Sequence, residues 1–117
     1  MTDTGMDSDA PAEDAPEEDA PRARLDAVVH GRVHGVGFRV HVRRAARELW
    51  LTGWVANEPG GRVHCVAEGP REALERLLEI LRAGPPGAFV EEVQANWPPA
   101  TGEFTGFGVR SGWHGGD

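Results

Sequence analysis

The residues best suited to chemistry stand together at 31–39, as Gly31-Arg32-Val33-His34-Gly35-Val36-Gly37-Phe38-Arg39. Glycines at 35 and 37 permit positive φ, so successive backbone N–H groups there can converge on one point. A helical pattern begins at Phe38, and a helix N-terminus adds unpaired N–H groups and a partial positive charge. Arg39 supplies a planar fork of donors in the first turn of that helix. Together these make an anion cradle of phosphate size. Taken alone, the run is equally a plain tight turn followed by a surface arginine. It matches neither the Gly-Lys-Ser/Thr phosphate loop nor the dinucleotide Gly-x-Gly-x-x-Gly pattern. A second run, Gly53-Trp54-Val55-Ala56-Asn57, puts an amide side chain at a strand end. Beside Glu58-Pro59-Gly60-Gly61, an asparagine is also an ordinary turn residue.

The elements that must position these groups follow from periodicity. Leu25–Val33 alternates and is rich in valine, which predicts a strand. Phe38, Val42, Ala45, Ala46 and Leu49 then fall on one helical stripe. Thr52–Asn57 and Arg62–Glu68 read as strands joined by the 58–61 turn, a hairpin. Pro70 suits the first turn of a second helix. Its stripe is Ala73, Leu74, Leu77, Leu78 and Leu81, and Gly84-Pro85-Pro86 ends it. Ala88–Trp97 is a fourth strand and Phe104–Arg110 a short fifth. The order β-α-β-β-α-β with one extra strand predicts an α+β, ferredoxin-like split β-α-β sandwich. Two helices, each with a single apolar stripe, cover one face of an antiparallel-type four- to five-stranded sheet.

Charge divides the chain unevenly. Residues 1–24 carry eight acids against Arg22 and Arg24, whereas residues 25–117 carry eleven acids and ten arginines. The overall −7 is therefore almost entirely a property of the first segment. With methionine as its only large apolar side chain, that segment cannot offset its ordering entropy, and 1–24 is expected to be a disordered acidic tail. It lacks the basic start and apolar stretch of a signal peptide. The expected domain is 25–112, with a flexible Gly-rich end at 113–117. Its near-neutral charge argues against a nucleic-acid footprint. Cys65 is the one cysteine, which excludes an internal disulfide and thiolate metal clusters. The expected setting is a reducing cytoplasm.

The two chemical runs together resemble the acylphosphatase signature. The resemblance rests on Gly31–Arg39, Ala46 and Leu49, and Leu51-Thr-Gly-Trp-Val-Ala-Asn57. Further matches in order are Gly61-Arg-Val63, Glu68-Gly69, Gly84-Pro85, Ala88, Val90, Val93, Phe104 and Phe107. The resemblance spans about residues 25–110. It implies the same ferredoxin-like fold and a hydrolase that cleaves acyl phosphates to a carboxylate and inorganic phosphate. It implies no metal and no cofactor. It assigns phosphate binding to His34, Gly35, Val36, Gly37, Phe38 and Arg39, and catalysis to Arg39 and the water-orienting Asn57. The partner it implies is a small-molecule acyl phosphate, with no nucleic acid, no membrane and a monomeric chain. The sequence departs from the pattern at His34, where Gln is usual; a backbone donor role survives that change. It also departs at Trp50, where Gly is usual, and at Gly60-Gly61, where Asp-Gly is common.

The remaining chemistry-bearing residues read as structural. No His/Glu pair among His30, His34, His41, His64 and His114 has zincin spacing. Trp50, Trp54, Trp97 and Trp113 are expected to pack or to lie on the open sheet face. Cys65 alternates with Val63 and Ala67 as a core thiol. Arg43, Arg44 and Arg47 lie off the helical stripe, as a solvated face does. The rival reading is a ferredoxin-like nucleic-acid-binding module without catalysis. Its Lys/Arg-Gly-Phe/Tyr strand motif is absent.

Overall fold

The computed structural model describes residues 21–110. The residues 1–20 and 111–117 lie outside it, and with them the expectations for most of the acidic segment, for Trp113 and for His114. Strands β1 (Arg22–Arg32), β2 (Thr52–Glu58), β3 (Arg62–Pro70), β4 (Phe89–Asn96) and β5 (Phe107–Arg110) form one sheet. Helices α1 (Phe38–Glu48) and α2 (Arg71–Ala83) follow β1 and β3. The strand order is β4-β1-β3-β2-β5, with β3 at the centre and β1 beside it.

Alternation along the strands builds the core. Leu25, Ala27 and Val29 of β1 stand opposite Ala67, Cys65 and Val63 of β3, and all six are wholly buried. Val55 of β2 continues that layer beside Cys65. Phe38, Val42 and Ala46 of α1 and Leu74, Leu77, Leu78 and Leu81 of α2 close it from one side. Burying a leucine of this kind contributes about 1.5–3 kcal/mol relative to leaving it in water. Desolvation pushes the Cys65 thiol up to about 12, so it packs as an inert apolar group at neutral pH.

The opposite face is crossed by the segment joining β4, at one edge, to β5, at the other. Glu68 of β3 holds this segment. Its carboxylate accepts from the backbone N–H groups of Thr101 (2.8 Å) and Gly102 (2.9 Å) and from Arg24 (2.9 Å). Arg24 also pairs with Glu103 at 2.9 Å and lies over the Phe104 ring. Desolvation would raise the Glu68 carboxyl, but these donors outweigh it and hold the group below the usual carboxylate range.

Three sequence expectations change. β1 begins at Arg22, so Arg22–Arg24 belong to the folded unit and not to the tail. Composition counts side chains and misses the ladder: Arg22, Ala23 and Arg24 pair with Pro70, Gly69 and Glu68. The last strand starts at Phe107, not Phe104, because the crossing segment occupies the preceding residues. β5 also lies parallel to β2, so the sheet is mixed at that edge. Among the described residues no helix is long and apolar enough to cross a membrane.

Candidate active site

The turn between β1 and α1 has the conformation its glycines suggest. Gly35 and Gly37 have φ of 73° and 75°. A Cβ at either position would meet nothing within 4 Å, so backbone conformation, not crowding, demands glycine there. Gly37 is the N-cap of α1 and offers no side-chain cap, and the first turn holds no acid. The first helical bond runs from His41 N to Gly37 O at 3.0 Å. The N–H groups of residues 38–40 therefore lack helical acceptors, and among the described residues no acidic side chain caps the positive end of α1, which suits an anion. α2 differs, having Glu72 in its first turn.

Arg39 follows directly and is 91% buried, an unusual place for a guanidinium. Asn57 is 4% exposed. Its parity with Val55 and Gly53 puts it on the sheet face that α1 covers, at the strand end nearest the helix N-terminus. Sheet alternation and helix start thus deliver the two side chains to one place. A cavity of about 310 Å³ is lined by Val33, Gly35, Gly37, Phe38, Arg39, Val40 and Asn57. Of the expected phosphate-binding residues it gathers Gly35, Gly37, Phe38 and Arg39, with Asn57 beside them. Val36 and His34 lie outside its lining.

His34 does something the sequence did not disclose. Its Nε2 lies 2.7 Å from the carbonyl oxygen of Arg62, so that nitrogen carries the proton and donates. Arg62 opens β3 and stands opposite Glu58, the neighbour of Asn57. One side-chain bond therefore ties the glycine turn to the hairpin that carries Asn57. The Gln usual at this position also has an N–H donor, which is the one signal that could have pointed to the tie. Val33 and Val40 are the other cavity residues sequence reasoning passed over. Val40 sits off the α1 stripe and is 47% exposed.

The other histidines stand elsewhere. His64 lies on the open face between Asp26 and Glu58, each at 2.7 Å. Trp54 meets His64 edge-on, and the Arg110 guanidinium lies over Trp54. His30 faces Gln94. Among the described residues no group of three His, Cys, Asp or Glu side chains could hold a metal ion.

Chemically, the arrangement suits a tetrahedral anion held by backbone N–H groups and a buried guanidinium, with a neutral amide at its side. Residues 25–109 match the acylphosphatase family model. The chain is 55% identical over 87 residues to an acylphosphatase of Nocardia farcinica, covering 74% of this chain and 87% of that protein. It is 53% identical over 88 residues to one from Mycolicibacterium smegmatis, covering 75% and 90%. The crystal structure of acylphosphatase from Bacillus subtilis superposes with a TM-score of 0.73 at 34% identity, over 75% of this chain and 98% of that one.

Proposed function

The chain belongs to the acylphosphatase family and hydrolyses acyl phosphates, and we propose that Arg39 holds the phosphate while Asn57 orients the attacking water. The observation that carries this is the single cavity lined by both side chains together with the glycine turn. Backbone N–H groups of the turn and the α1 N-terminus, from His34 to Arg39, surround the phosphoryl oxygens. The Arg39 fork adds a full charge. The transition state of phosphoryl transfer is loose and spreads charge over three equatorial oxygens, so positioned donors stabilise it directly.

The bond from water oxygen to phosphorus forms as the bond from phosphorus to the acyl oxygen breaks. The leaving group is a carboxylate whose conjugate acid has a pKa of about 4, so it departs without a general acid. Asn57 takes no proton at neutral pH; it directs a lone pair of water toward phosphorus through amide hydrogen bonds. The water proton passes to a phosphoryl oxygen, and the products are a carboxylate and inorganic phosphate.

In this reading the protein works as a monomer, in the cytoplasm and without a metal, because Arg39 and the N–H groups supply the charge a cation would bring. The wholly buried free thiol of Cys65 suits a reducing compartment. Release of phosphate from acetyl phosphate by the purified protein, with and without chelator, tests the scheme. Equal rates are expected. Activity abolished by chelator and restored by a divalent cation would overturn the metal-free scheme.

A further inference from the structure

A second concavity, of about 380 Å³, adjoins the cavity that holds Arg39 and Asn57. It is lined by Val40, Arg43, Arg44, Arg47 and Glu48, and Val40 lines both. Offsets of three and four residues bring Arg43 and Arg44 beside Val40 on the α1 surface. Helical Cα–Cβ bonds tilt toward the N-terminus, so both arginines lean back toward the turn that carries Val40. Arg47 is committed elsewhere, donating through Nε to the Phe107 carbonyl at 3.0 Å. Arg43 and Arg44 enter no ion pair among the described residues. Glu48, at the far end, is the one carboxylate in the lining, so positive charge is in excess.

The reaction at Arg39 uses neither arginine, and no core contact explains an apolar side chain half exposed between them and the cradle. An acyl phosphate seated with its phosphoryl group at Arg39 has only its acyl chain left to leave the cavity. Val40, at the rim, offers that chain an apolar surface. Arg43 and Arg44 lie about 6–7.5 Å along the helix axis from Arg39, at 1.5 Å per residue. That span suits a chain of about four carbons. We infer that Val40, Arg43 and Arg44 form a subsite for the acyl end of the substrate. The substrates it favours are acyl phosphates of dicarboxylic acids, whose free carboxylate meets the two guanidinium groups. This rests on the reading of the Arg39–Asn57 cavity as the hydrolytic site.

Succinyl monophosphate and butyryl phosphate test it, because they match in chain length and differ by a carboxylate in place of a methyl group. Wild type is expected to have the lower KM for succinyl phosphate, with similar kcat for both. In Arg43→Gln/Arg44→Gln the succinyl KM should rise about five- to tenfold, the scale of two partly exposed charge contacts. The butyryl KM should stay within about twofold, which also reports an intact fold and an intact cradle. Arg43→Lys/Arg44→Lys should keep most of the preference, and about 0.5 M salt should erode it in wild type. Equal KM changes on both substrates, or no change on succinyl phosphate, would overturn the subsite. A wild type that releases phosphate from neither substrate would instead overturn the hydrolytic reading of the cavity, and the subsite with it.

Discussion

At the scale of single residues, the proposed scheme divides the labour of the site between a charge and an amide, and the two are separable by experiment. In that scheme Arg39 acts on the phosphate, so Arg39→Ala should weaken inorganic phosphate binding and lower turnover together. Cationic contacts to a transferring phosphoryl group are worth about 10³–10⁵ in rate in well-studied cases. Arg39→Lys should rescue poorly, because a point charge cannot replace a buried fork. The scheme has Asn57 act on the water alone. Asn57→Ala should bind inorganic phosphate nearly as wild type does, while turnover falls by at least ~10². Competitive inhibition by phosphate, measured beside turnover in both variants, checks the division. If Asn57→Ala weakens phosphate as much as Arg39→Ala does, Asn57 is an anion ligand or an anchor. Both side chains were legible in the sequence, because a glycine turn leading into a helix, and an amide ending a strand, carry local signals. The His34 tie to Arg62 was not, since it joins residues 28 apart in sequence through a fold that must exist first. Val40 was missed for another reason: an apolar residue off a helical stripe looks like surface noise until a cavity is found beside it.

At the scale of elements, periodicity carried most of the fold and failed where backbone pairing outvoted side chains. The stripes of α1 and α2 are the faces that pack, and the 58–61 turn joins β2 to β3 as the hairpin pattern required. β1 starts early because ladder bonds to β3 do not depend on the identity of Arg22 or Ala23. The end of α1 holds a local conflict that the sequence did announce. Trp50 N–H bonds to Arg47 O at 3.1 Å and Leu51 N–H to Ala46 O at 2.9 Å, the paired bonds of a Schellman turn. The left-handed residue in that turn is Trp50, at φ 60° and 54% exposed. A non-glycine residue there bears a steric cost of about 1–2 kcal/mol, against the greater chain entropy glycine would lose on folding. More than half of the Trp50 surface stays in water, so relief of the strain should dominate and Trp50→Gly should stabilise the protein by about 0.5–1 kcal/mol. Denaturant unfolding should show a higher midpoint with an unchanged slope. An unchanged or lower midpoint would mean that the indole packing offsets the strain.

At the scale of the whole molecule, one carboxylate clamps the long crossing segment to the sheet and sets two further outcomes. Glu68 is wholly buried and its carboxyl is held below its ordinary range. A depressed folded pKa means that the protein is stabilised at every pH above the unfolded value of about 4.3. That stabilisation is lost as pH falls through the lower, folded value. Glu68→Gln should therefore lower stability at neutral pH by about 1–3 kcal/mol, the range for hydrogen bonds to a charged group and for a buried group left badly paired. It should also flatten the loss of stability below about pH 4. Thermal melts of both proteins from pH 3 to 7 test this; parallel curves would remove Glu68 from the acid response. The same clamp decides where the acidic segment can be cut. Its eight acids all precede residue 20, whereas Arg24, paired with Glu68 and Glu103, belongs to β1. Deleting residues 1–20 removes the charge excess and leaves every residue of the clamp and the cavity in the chain, so melting temperature and turnover of acetyl phosphate should match the full chain. Deleting 1–24 also removes Arg22–Arg24 from the β1–β3 ladder and leaves Glu68 without its guanidinium. It should melt lower, yet keep its turnover at temperatures where it stays folded, because the glycine turn and Asn57 sit at the other end of these strands. Equal melting of the two truncations would show that the first three residues of β1 contribute nothing. A loss of turnover on removing 1–20 alone would show that the acidic segment acts on the site.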